Sequence, residues 1–150
     1  MALVTSSASN ANSSTGVGVI IPDSKLAREI TELVRDTEPP LLFHHSSRVY
    51  YWGALTGKRR CLRFDPELLY AGAMFHDMGL TPKHASAHER FEVDSANAAR
   101  DFLRSHGIAE REIETVWTAI ALRWTFTVTS SRPLQARWLH RSDCAVHRVS

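Results

Sequence analysis

Three side chains of this sequence offer metal-ligand chemistry in a suggestive order: His45, then the adjacent pair His76-Asp77, 31 positions on. The pair ends an apolar run, Ala73-Met-Phe-His-Asp-Met-Gly79. A neutral imidazole nitrogen and a carboxylate there can share a divalent cation. An ionised Asp without a partner is costly to bury, so a cation is a natural companion. Adjacent helical residues diverge by about 100°, but they converge on one ion beside the helix end. The bland reading is an Asp that caps a neighbouring helix with a His bonded to it. His45 lies in Leu41-Leu-Phe-His-His-Ser-Ser-Arg48, on a helical face with Leu41, Val49 and Trp52 that is mostly apolar, whereas His44, Ser47, Arg48 and Tyr51 share the more polar face. His45 is therefore the inward histidine. Standing alone, it would read as a hydrogen-bonded core residue.

Helices must position these groups, and the chain carries their signals. Pro22-Asp23-Ser24 caps a helix with Leu26, Ile30, Leu33 and Val34 at helical spacing, which Pro39-Pro40 stops. A second helix is predicted from Leu41 to about Thr56, with Gly57 as its cap and Lys58-Arg59-Arg60 as a solvated turn. Asp65-Pro66-Glu67 opens a third helix with an N-cap acceptor, Pro at the first position and an acid at the positive dipole end. That helix closes near Gly79. Residues 82–92 read as a polar loop carrying His84 and His88. A fourth helix is predicted over about 93–105, stopped by Gly107, and a fifth over about 110–122, with Ile113, Val116, Trp117 and Ile120 as its stripe. No alternation marks a persistent strand. The fold class is all-α, a bundle of five or more helices.

Four blocks in order resemble the HD superfamily of metal-dependent hydrolases, and within it the cyanamide hydratase-like branch: Phe43-His-His-Ser-Ser-Arg-Val-Tyr50, His76-Asp-Met-Gly79, Arg90-Phe-Glu-Val-Asp-Ser-Ala-Asn-Ala-Ala99 and Val116-Trp-Thr-Ala-Ile-Ala-Leu122. The likeness covers roughly residues 25–122. It implies an HD-domain-like helical bundle and one divalent ion, zinc or alternatively iron, held by His45, His76, Asp77 and a distal Asp. The reaction it implies is the addition of water to a small nitrile-like substrate, cyanamide giving urea. A bound Zn²⁺ lowers the pKa of its water from about 15.7 to about 7, which suits that chemistry. The substrate nitrogen also needs a proton. Beside Asp77, candidates for the catalytic role are His88 and Asp94, with Glu92 between them; the alternatives are a solvated loop residue for His88 and the N-cap of the fourth helix for Asp94. Arg48 is either an anion ligand or an ion-pair partner of an acid such as Glu92.

Past Leu122 the likeness ends, with Ala121-Leu-Arg-Trp-Thr125 where relatives continue Ala-Leu-His-Thr. Residues 124–150 hold four Arg and one Asp, a local +3 within a net charge of +2, so the remainder sums to −1. The division is an arm at 1–22, disordered from its Ser, Thr, Asn and Gly content, a helical domain at 23–122 and a divergent tail at 123–150. Val17 to Ile21 is either a short strand or an anchor for the arm. The tail is expected to be a shifted reading frame or a mis-spliced end; an uninterrupted frame shared by sister genes over 123–150 would refute this. Asp143 is the candidate fourth ligand, 66 positions after Asp77, with His140 and His147 as replacements.

Two further functions compete. One is an HD-type phosphohydrolase on a nucleotide or phosphoester, disfavoured because Lys83 is the nearest lysine after His76-Asp77. The other is a catalytically impaired remnant or interaction module lacking the distal ligand. A net charge of +2 does not argue for nucleic acid, and no run approaches the roughly 18 apolar residues that span a bilayer. Two separated cysteines, Cys61 and Cys144, define no disulfide framework and suggest a reducing cytoplasmic setting. The partner expected is a small-molecule substrate, with neither nucleic acid nor membrane. Homo-oligomers are allowed, because lost terminal helices would expose apolar surface.

Overall fold

The computed structural model describes residues 18–122 and the backbone of residues 140 and 141. The predicted order of helices is the order found: α1 (Lys25–Thr37), α2 (Pro40–Arg59), α3 (Pro66–Phe75), α4 (Phe91–Ser105) and α5 (Glu110–Ala121). A 3-10 turn, Met78–Leu80, follows α3. Two short strands, β1 (Leu62–Arg63) and β2 (His140–Arg141), pair antiparallel with Leu62 opposite Arg141. The expectations for Asp143, His147, the arm before residue 18 and the rest of the tail lie outside the described residues.

The sequence's caps work as local chemistry requires. Ser24 Oγ accepts from Ala27 N at 3.0 Å at the start of α1. Asp65 Oδ1 accepts from Glu67 N at 2.8 Å and from Leu68 N at 3.1 Å, with Pro66 at the first helical position of α3. Gly107 takes φ +72 just beyond α4, the left-handed conformation that ends a helix without a Cβ clash. Val19 is buried, and Tyr50 Oη donates to the Ile20 carbonyl at 2.8 Å. Residues 18–21 thus act as an anchor and form no strand.

Several details differ from expectation. Gly57 does not cap α2, which runs on to Arg59; a Cβ at Gly57 would come within 2.6 Å of the Phe64 ring, so this glycine permits close approach of the returning chain. Pro40 opens α2 instead of merely ending α1. The inward face of α2 is Ser46, Tyr50, Ala54 and Gly57, one residue round from the predicted stripe, leaving Leu41 78% and Trp52 66% exposed. Tertiary packing against α3 turned the helix, through contacts such as the Tyr50–Tyr70 edge-to-face ring pair at 5.1 Å. The fourth helix starts at Phe91, so Asp94 lies inside its first turn and is not its N-cap. Cys61 is disulfide-bonded, which the cysteine count did not anticipate. Among the described residues no helix is long and apolar enough to cross a membrane.

The core is shared by all five helices: Ile30 and Val34 of α1, Tyr50 and Ala54 of α2, Met74 and Phe75 of α3, Leu103 of α4 and Val116 of α5 are buried. The α3 helix lies centrally, against α1, α2, α4 and α5. Its C-terminal end is consequently the most enclosed stretch, with residues 73–79 all buried.

Candidate metal centre

His76 and Asp77 occupy that enclosed end. His76 is the C-cap of α3 and Asp77 the residue before the 3-10 turn, and both are buried, Asp77 to 4% exposure. His45 arrives from the first half of α2 with its side chain 41% exposed. One ligand atom from each of the three lies within 4.8 Å of the others. Asp77 Oδ2 is 3.1 Å from His76 Nε2 and 3.5 Å from His45 Nε2, and the two imidazoles lie 5.3 Å apart between centroids.

The protonation pattern identifies what this cluster fits. His76 Nδ1 is 2.6 Å from the Ala73 carbonyl oxygen, which can only accept, so Nδ1 carries the hydrogen. In the neutral ring Nε2 then bears a lone pair. That Nε2 is buried and has no hydrogen-bond partner, although Asp77 Oδ2 is only 3.1 Å away. A nitrogen lone pair facing a carboxylate oxygen at this distance calls for a positive centre between them. A divalent ion about 2.0–2.2 Å from each ligand, with ligand–ion–ligand angles near 90–110°, sets neighbouring ligand atoms about 3 Å apart. The observed 3.1 and 3.5 Å match that spacing, and the backbone bond at Nδ1 is the usual support for a ligating imidazole. The residues present fit a metal ion.

A match to the HD domain family covers residues 42–146. The chain belongs to the HD family. Members have metal-dependent, hydrolase-like chemistry and bind divalent ions, and in this HD protein His45, His76 and Asp77 form a group that could hold one. The match also runs past Leu122, where the resemblance read from the sequence ended. No curated protein matches the chain.

The remaining predicted residues do not belong to that group of three. Asp94 is buried in α4, where its Oδ2 accepts from Ser86 N at 2.7 Å and ties down the loop between the 3-10 turn and α4. Its neighbour Ser95 accepts from Gly79 N at 2.7 Å. His88 is exposed on that loop, Glu92 is buried and Arg48 is exposed. Gly79 is required there, since a Cβ would collide with the Phe91 carbonyl. The α4 start thus clamps the turn that carries Asp77.

Sequence reasoning missed Glu38. It is the C-cap of α1 and only 4% exposed. Ser46 Oγ, next in sequence to His45, donates to Glu38 Oε2 at 3.3 Å, while Oε1 has no partner. Burial pushes the carboxyl up to about 7; the Ser46 bond opposes this and the charge of Asp77 adds to it. One signal was available: an acid at a helix C-terminus opposes the dipole, so Glu38 before Pro39-Pro40 is out of place for a solvated residue.

Proposed function

We propose that this HD protein hydrates a small nitrile-like substrate, of which cyanamide is the simplest, using one divalent ion, zinc in preference to iron. The observation that carries the reading is the buried, unpartnered His76 Nε2 facing Asp77 Oδ2, with His45 completing the cluster. When bound, the ion supplies Lewis acidity, making water nucleophilic near neutral pH and polarising the bond under attack. His76 is held as a donor by the Ala73 carbonyl, and Asp77 contributes negative charge from a site largely closed to water. His45, half-exposed, stands on the solvent side. For cyanamide the balance is one water added: its oxygen bonds the nitrile carbon and gives up one proton, the first C–N π bond opens and the nitrogen takes a proton, giving isourea; the remaining O–H proton then passes to the same nitrogen as the second π bond shifts to C–O, giving urea. We assign the first of these protons to His88, on the loop that the Ser86–Asp94 bond ties down, or to Asp94 in the first turn of α4.

Among the described residues Arg60 is the one Lys or Arg lining the cavity that adjoins His45 and His76, and this supports a neutral substrate over a phosphoester. The partner proposed is a small molecule. Metal content paired with turnover of cyanamide and of nucleoside monophosphates tests the reading, on wild type and on Asp77→Ala. Near one equivalent of zinc with urea production, both lost in the variant, is expected. Phosphate release without urea would replace it with a phosphohydrolase, and under a tenth of an equivalent of metal would leave a non-catalytic module.

A further inference from the structure

A cavity of about 580 Å³ opens between α2, α3 and α5, and both His45 and His76 line it. The two helices run antiparallel along it: the lining on α2 extends from residue 45 to residue 57, and on α3 from residue 76 back to residue 68. Twelve residue steps on α2, at about 1.5 Å each, make the trough about 18 Å long. Away from the histidines its walls are mostly apolar, with Val49, Phe64, Leu68, Leu69 and Ile120 among them and Thr56 and Arg60 as the polar exceptions. Two glycines widen it. Gly53 of α2 and Gly72 of α3 both line the cavity, and a Cβ built at Gly72 would meet nothing within 4 Å. In a helix each glycine weakens the element by about 1 kcal/mol relative to Ala, so these positions keep space open at a structural expense.

Cyanamide fills little of this volume. A liquid water takes about 30 Å³, so a molecule with three non-hydrogen atoms needs under about 100 Å³. Cavities of about 300–1,000 Å³ hold ligands of drug-like size, mostly through apolar walls with a few polar groups that fix orientation. Here the polar groups His45 and His76 stand at one end, and the apolar length leads away from them.

We propose that the trough binds the apolar body of an uncharged substrate, an alkyl- or aryl-substituted nitrile, and presents its nitrile group to His45 and His76. The assignment rests on the metal-centre reading for the position of the reacting group, while the body is recognised by the trough itself. Removing water from the walls and the hydrocarbon together drives binding at about 25 cal/mol per Å² of apolar surface. A phenylpropyl extension therefore gains well over tenfold in affinity compared with a methyl group. The geometry makes Gly72 the specificity-determining position, because it lines the cavity and a Cβ there meets nothing within 4 Å, so a side chain would grow into the space the ligand needs.

The test compares acetonitrile with 4-phenylbutyronitrile by calorimetry and ligand-observed NMR, on the full chain with and without one equivalent of zinc, and measures zinc content independently. The expected result is binding of 4-phenylbutyronitrile at least tenfold tighter than acetonitrile. Gly72→Leu should abolish that difference while zinc content and helical circular dichroism stay as in wild type. Should Gly72→Leu not fold, Gly53→Ala narrows the opposite wall, its Cβ making an ordinary 3.5 Å contact with Leu69, and should weaken the longer nitrile selectively. Equal affinities for the two nitriles, or an unchanged preference in the folded glycine variants, overturn the proposal. A protein that takes up no zinc yet prefers the longer nitrile in a Gly72-dependent way would refute the metal reading and leave the trough assignment standing. One that binds zinc without any chain-length preference would do the reverse.

Discussion

The α4–α5 hairpin and the α2–α3 pair are both two packed helices, yet they are built to different ends. In the hairpin the contact surface is apolar, with Ala99, Leu103, Ile113 and Val116 buried, and Arg104 pairs with Glu110 through two bonds of 2.7 Å across the turn. In the α2–α3 pair the interior holds Ser46, His76 and Asp77, with Glu38 of α1 reaching Ser46, and two helical glycines hold a trough open. The difference teaches which part of the molecule carries stability and which carries chemistry. A buried carboxylate and an unpartnered imidazole nitrogen oppose folding unless a cation joins them. The hairpin and the central core must offset that.

The comparison is broken most severely at Asp77. Asp77→Ala should lower zinc content by more than tenfold and remove turnover, while circular dichroism shows the helices intact; retention of a full equivalent of zinc would show that the cluster is not the binding site. His76→Ala should do the same, since its Nε2 is the donor with no other partner.

The hairpin is broken by Leu103→Ala, which removes a fully buried side chain and should cost about 2–5 kcal/mol in denaturant unfolding. Zinc per folded molecule should stay unchanged. A loss of zinc binding in the folded fraction would mean that the two regions are not separable in the way argued.

Glu38 gives a sharper, pH-dependent contrast. Its folded-state pKa, about 7, lies above the ordinary 4.5, so the folded protein holds a proton that the unfolded chain releases between those values. Metal-free wild type should be most stable below about pH 4.5 with respect to this group and lose stability as pH rises to about 7, by at most about 3 kcal/mol. Glu38→Gln should remove that slope and be the more stable protein at pH 8. Parallel stability–pH curves for the two would refute the assignment. The smallest effect is expected at Arg104→Ala, a solvent-exposed pair whose loss should leave the melting temperature unchanged within error.

Much of the fold was legible because helices announce themselves locally. Asp65-Pro66-Glu67, Ser24 and Gly107 act within one turn of their own positions, and the structure uses each as expected. The His76-Asp77 pair at the end of an apolar helix, with His45 ahead of it, was legible for the same reason. Less legible was the rotation of α2: with His44 and His45 adjacent and apolar residues on several faces, periodicity favoured Leu41, Val49 and Trp52, whereas the buried set is Ser46, Tyr50 and Ala54. Gly57 was misread because a glycine that admits a neighbour's ring and one that ends a helix look alike in one dimension.

The sequence by itself determined the helices, their order and the donor types that metal chemistry requires, since each depends on neighbours within a few positions. Only the tertiary structure decided that residues 45 and 76 meet, that Glu38 is sealed beside Ser46, and that a long apolar trough ends on the two histidines. Those depend on how α2 is turned against α3, a choice made by side-chain packing between residues distant along the chain, which no local pattern encodes.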